Sequence, residues 1–322
     1  KLVSLQSAWL LLYFCCVPRI NHLLRTIPPR LIRSTAESHD QAIATMFRSL
    51  FHIASQDNWD SQLQGVSYET CMKQASLPLR LGGCGLRDSI RTSSAAYWAS
   101  WGDCLGVIQQ RFPEVGGRIT DFLQQLRDGT LAAAHVPQTL CEAEEAGAVT
   151  DASGWRARPT WAALATGQRP PTPEPDELAL GEWAHGWQYH ASNVLEKAVF
   201  GNLMRDLAMP SRRINASAAG KTRLLSCLGR FSPSWLICCP TSAGLTFRDD
   251  ELSPLVRLRL GLAICTDGLD AHGYYRLADG VGGRRHARHN TVVAAWRQVF
   301  LEAGGEVPDG NVERLLRRTH VP

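Results

Sequence analysis

No apolar run in this 322-residue chain is long enough to cross a bilayer. The best candidate, Leu2 to Val17, is broken by Ser and Gln and falls short of the roughly 20 residues a span needs. The same stretch lacks a charged leader and a small-residue cleavage site, so it does not read as a secretion signal. Internal repeats and coiled-coil heptads are also missing, which excludes solenoids and long zippers. Cysteine is present, but not as a framework. The ten cysteines are scattered or adjacent (Cys15-Cys16, Cys238-Cys239) in apolar contexts, the usage of a reducing, intracellular compartment. The chain begins at Lys1 rather than Met, so a fragment or processed product is expected.

The apolar content is that of a globular protein, and the length allows two domains with cores of their own. The net charge of +4 is unevenly placed. Lys and Arg against Asp and Glu count 6 to 3 over residues 1–58, 6 to 11 over 110–190, and 10 to 7 over 257–322. Basic ends around an acidic middle suit contact with a polyanion, although solubility alone explains so small an excess.

The pattern is mainly helical. Leu2, Leu5, Trp9, Leu12 and Cys16 recur at helical spacing, and Arg19 to Pro29 interrupts them with prolines. Further helices are expected from about Ala36, over Trp59 to Ser76, over Asp88 to Gln109, and from Pro113 with Ile119, Phe122, Leu123 and Leu126 on one face. Residues 147–177 read as a linker, above all Thr166 to Glu177 with its four prolines, although Trp155 and Trp161 argue for packing before it. Helices are expected over Leu178 to Ala208 and Ile214 to Leu228, then short β-like runs around Pro240, then helix from Leu252 to Leu262. Gly268 to Gly283 is irregular, and Arg288 to Ala303 is amphipathic.

The most specific segment is Leu77-Pro-Leu-Arg-Leu-Gly-Gly-Cys-Gly-Leu-Arg87. Gly82, Gly83 and Gly85 stop any helix, and at least one is expected to need positive φ. Leu77, Leu79 and Leu81 alternate, so a short extended face is buried. A small-residue helix follows, with Ala95, Ala96 and Ala99. Taken alone, the segment reads equally well as a generic β-turn in a helical protein. With the alanine-rich helix, however, it resembles the segment after the palm of reverse transcriptases from non-long-terminal-repeat retrotransposons. Upstream, Pro18-Arg19, His22 to Arg25, Pro28-Pro29 and His39-Asp40 come in that family's order, and downstream so do Leu258 to Cys265, Leu269 to Tyr275 and Gly282 to Asn290.

The resemblance implies a thumb-like irregular helical bundle over 1–110 and a helical connection with a Pro-rich linker over 111–177. A helical region with β-like runs follows over 178–262, and a smaller mixed C-terminal domain with a degenerate zinc knuckle over 263–322. The parent would perform target-primed reverse transcription in the nucleus, with RNA template, target DNA and a palm domain N-terminal to this chain as partners. This chain alone is expected to catalyse nothing. Its one Asp-Asp pair, Asp249-Asp250, sits in a helix-start context rather than on the family's aromatic hairpin, where carboxylates hold two metals. Of the knuckle ligands only Cys265 remains, with Tyr275 and Asp279 at the other positions, so neither metal nor cofactor is expected. The expected backbone contacts are Arg284, Arg285, Arg288 and His289, with Arg19, Arg25 and Arg30 at the other end. Two alternatives stand beside this. One is a ligand-free helical scaffold or decayed element product, and the other is a metal-dependent nuclease using Arg288, His289 and acids near Glu302 and Glu306.

Overall fold

The computed structural model describes residues 4–60, 66–173, 184–207, 214–229, 232–241 and 246–264. Lys1–Ala263 cluster into one compact unit and Ile264–Pro322 into a second. Apart from Ile264, the second unit lies outside the described residues, and with it the mixed domain and the knuckle.

The described residues are mainly helical and contain no strand, only an isolated antiparallel bridge between Leu81 and Leu228. In chain order the helices are α1 (Leu5–Leu11), α2 (Asn21–Thr26), α3 (Pro29–Leu50), α4 (Tyr68–Ser76), α5 (Ser89–Arg111), α6 (Pro113–Arg127), α7 (Gln138–Ala152), α8 (Trp161–Ala165), α9 (Trp187–Asp206), α10 (Ile214–Ser226), α11 (Ser234–Ile237) and α12 (Asp249–Leu260). Between α1 and α2 the chain winds through a π-helical turn, Leu12–Cys16, and a 3₁₀ turn, Val17–Ile20.

Helix α5 is the hub, touching α2, α3, α6, α7, α8 and α9. Its composition explains this. Ala95, Ala96, Ala99 and Gly102 carry almost no side chain, so neighbours approach on several sides, and the helix is buried around most of its circumference. Its N-terminus is doubly capped. The Asp88 carboxylate accepts from the Arg91 amide at 2.8 Å, and Asp40 of α3 accepts from the Ser89 amide at 2.8 Å.

Two large cores flank this hub. One joins Trp9, Leu12 and Val17 to Phe47, Phe51, Cys71, Cys84, Leu236, Leu252, Val256 and Leu260. The other gathers Trp98, Trp161 and Trp187 with Leu105, Leu123, Leu140, Leu164 and Leu195. Both draw on more than one of the sequence segments 1–110, 111–177 and 178–262.

Three expectations are corrected. The linker reading fails between 147 and 165, because α7 runs to Ala152 and α8 buries Trp161 and Leu164 in the second core. The β-like run at Trp235 is helix α11. In sequence, Trp9, Leu12, Phe14 and Val17 read as an apolar surface awaiting a partner outside the chain; Trp9, Leu12 and Val17 are instead buried within it, with the Trp9 indole N–H donating to the Leu236 carbonyl at 2.7 Å, and of the four only Phe14 is exposed.

Candidate nucleic-acid interface

The glycine segment folds as a tight turn between α4 and α5. Gly82 and Gly85 have φ of +79° and +74°, the left-handed region that favours glycine. Gly83 has no positive φ, but a Cβ there would collide with the Leu77 carbonyl and reach within 2.6 Å of the Gln74 carbonyl. The carbonyls this turn exposes are met by side chains. Arg259 donates to Gly83 O at 3.0 Å and Leu79 O at 2.9 Å, and Gln74 donates to Gly82 O at 3.0 Å. Gln74 also donates to Arg259 O at 2.8 Å, and Arg223 donates to that carbonyl and to Gln74 Oε1. Cys71 and Cys84 lie in this junction, where burial pushes both thiols up to about 12, so neither is a nucleophile near neutral pH.

His39, Asp40 and Ser89 meet at the other side of the turn, but not as a catalytic triad. Both Asp40 Oδ1 (3.5 Å) and Ser89 Oγ (3.4 Å) face the same ring atom, His39 Nδ1, while Nε2 faces the Cys16 carbonyl at 3.3 Å. A triad needs the serine and the acid on opposite nitrogens. Asp249 and Asp250 occupy the first turn of α12, and Asp249 Oδ1 accepts from the Leu5 amide at 2.9 Å. Among the described residues no group of three His, Cys, Asp or Glu is placed to hold a metal ion, and no helix is long and apolar enough to cross a membrane.

The basic residues singled out near the N-terminus share the α2–α3 region but differ in state. Arg19 is exposed. Arg25 is tied to Asp103 at 2.8 Å and Gln188 at 2.9 Å. Arg30 reaches the buried Glu142 at 3.2 Å while its own side chain stays 68% exposed. The aromatic Phe14, 49% exposed, stands nearby in sequence on the π turn. Arg284, Arg285, Arg288 and His289 lie outside the described residues.

Sequence reasoning missed a second basic group. Arg80 pairs with Glu196 at 3.2 Å and Asn193 at 2.8 Å, and its guanidinium lies 4.9 Å from the Tyr189 ring centre. Burial raises the Glu196 carboxyl, and Arg80, Arg91 and Arg87 pull it back down. Arg87 itself is exposed with φ +43°, unusual for a residue bearing a Cβ. Both Arg80 and Arg87 stand in the quoted turn. The signal was available as basic residues bracketing three glycines, but their shared partner on α9 was not. Comparison with protein-family models, curated proteins and solved structures returns no match to this chain.

Proposed function

We propose that this chain is the thumb-like, post-palm part of a retrotransposon-type reverse transcriptase. In this reading it grips RNA template and target DNA by their backbones and has no chemistry of its own. The observation that supports it is the convergence of the blocks on which the resemblance rests. His39 and Asp40 meet Ser89, which directly follows the glycine turn, and Arg259 of the Leu258–Cys265 block binds the carbonyls of that turn. Segments that resemble the family separately are partners in space.

Backbone binding has an electrostatic basis. The first 36 residues contain no Asp or Glu but carry Arg19, Arg25, Arg30 and Arg33. The ligand-free scaffold keeps one observation in its favour, since Asp103 and Glu142 already occupy Arg25 and Arg30.

The test uses the whole chain with a primer–template, deoxynucleotides and Mg²⁺. The expected result is retention of the labelled primer–template without extension or cleavage. Extension or metal-dependent cutting contradicts the non-catalytic part. Absence of retention at low salt favours the scaffold.

A further inference from the structure

From Leu5 to Thr26 the chain winds without a break through α1, the π-helical turn, the 3₁₀ turn and α2. The residues that join these pieces, Leu11, Leu12, Cys16, Val17, Ile20 and Asn21, all keep right-handed helical dihedrals. At 1.5 Å per residue this path is roughly 33 Å long. One side of it faces inward, where Trp9, Leu12, Val17, Ile20 and Leu24 are buried. The opposite side is an exposed stripe through Ser7, Leu11, Phe14, Arg19, Leu23 and Thr26. The extra residue of the π turn falls between Phe14 and Arg19 and keeps the stripe in line. Leu11 and Phe14 are each 49% exposed and Leu23 37%, and the stripe contains no Asp or Glu.

The order of the stripe nearly repeats when it is reversed. From each end it runs hydroxyl, then leucine, and the two halves meet as a ring and a guanidinium. A pattern of that kind is complementary to its own antiparallel copy, the requirement of an isologous two-fold contact. With the two-fold axis between Cys16 and Val17, Ser7 meets Thr26 of the second copy, Leu11 meets His22 and Leu23, and Phe14 meets Arg19. Each guanidinium then has an aromatic face to lie on. Parallel pairing would set Arg19 against Arg19, with no carboxylate in the stripe to offset the repulsion.

We propose that this stripe is the contact through which two copies of the chain pair antiparallel. The pairing stands apart from the nucleic-acid reading and needs no nucleic acid. Its apolar content is modest, and a single helix face per copy falls at the small end of specific interfaces. The dimer is therefore weak and dependent on concentration. The antiparallel arrangement also opposes the dipoles of the paired helices, which favours it slightly.

The experiment is sedimentation equilibrium of the whole chain over a wide range of protein concentration, without nucleic acid and with a reductant that keeps Cys15 from cross-linking copies. The variants are Phe14→Arg, Arg19→Glu and the two together, with melting temperatures recorded in parallel to show that each folds. The native chain is expected to pass reversibly from monomer to dimer. Phe14→Arg sets two cations face to face and is expected to raise the dissociation constant at least about tenfold. Arg19→Glu removes the cation from the ring and is expected to raise it severalfold. In the double variant each new cation faces a new carboxylate of the second copy, so the constant is expected to return to within about threefold of the native value. A native chain that stays monomeric at every concentration overturns the proposal. A dimer that neither single substitution weakens places the contact elsewhere and overturns it too. Weakening by both single substitutions without recovery in the double variant overturns the antiparallel pairing.

Discussion

At Gly83 the backbone has an ordinary φ, yet the space for a Cβ is filled by the Leu77 and Gln74 carbonyls. Gly117 of α6 has nothing within 4 Å. The two positions therefore respond oppositely to alanine. Gly83→Ala is expected to cost on the order of 1–3 kcal/mol, a drop of several degrees in melting temperature. Gly117→Ala is expected to gain roughly 0.5–1 kcal/mol. Calorimetry on both variants checks this, and equal shifts would refute it. The sequence marked the turn as one of positive φ, which Gly82 and Gly85 bear out. It named Gly83 as well but could not give the reason there, because the obstruction comes from a carbonyl fold-back that is not written in local propensity.

His190 supplies a pH dependence. Its Nε2 is buried without a hydrogen-bond partner, and burial, with His185 nearby, lowers its pKa below the ordinary value of 6.5. The folded state therefore binds the proton less readily than the unfolded chain. Its contribution to stability is present above pH 6.5 and is lost as pH falls through the lowered folded value. Glu196 and Asp40, both raised by burial, titrate with the opposite sign at lower pH, so the clean readout is a difference between variants. His190→Gln is expected to flatten the fall in melting temperature between about pH 7 and pH 5.5. An unchanged pH profile would mean that His190 is not the group responsible.

Among the elements, the N-terminal helix shows best what periodicity can and cannot tell. The spacing of three and four through Trp9 and Leu12 gave a helix with an apolar stripe. The π turn then adds a residue to the winding, and the Val17 amide donates to the Leu12 carbonyl five residues back. Leu12 and Val17 consequently both face the core while Phe14 turns outward. An apolar stripe does not say whether its cover comes from the same chain or from another. Here Leu236 and the α12 leucines, far away in sequence, provide it. Trp9→Ala is therefore expected to destabilise the chain by about 3–5 kcal/mol, whereas Phe14→Ala changes little. Denaturant melts read both, and a tolerated Trp9→Ala would restore the view of an external partner face. The misread linker has a different cause. Inside it, Thr150 and Arg158 are buried although both look like surface in sequence. Arg158 is neutralised by Glu144, 2.8 Å away on α7, before the stretch begins.

Across the whole molecule, the helical class was legible because alanine-rich, Leu-rich and capped segments agree with one another. The Asp249-Asp250 helix start was legible for the same reason. The proposed binding surface was legible only in part. Arg19, Arg25 and Arg30 stood out as unopposed charge in sequence, but Asp103 and Glu142 oppose two of them in space. Arg80 matters more in space than sequence shows, because α9 brings Glu196 and Tyr189 to it across more than a hundred residues. The central proposal is that arginine side chains of this chain bind the phosphate backbone of nucleic acid. It is tested most directly by the affinity of the whole chain for a 20-nucleotide single strand across about 50–300 mM salt. Three to five phosphate contacts predict a linear log–log fall with a slope of roughly −2 to −3.5. A flat salt dependence, or no measurable binding at the lowest salt, would contradict it.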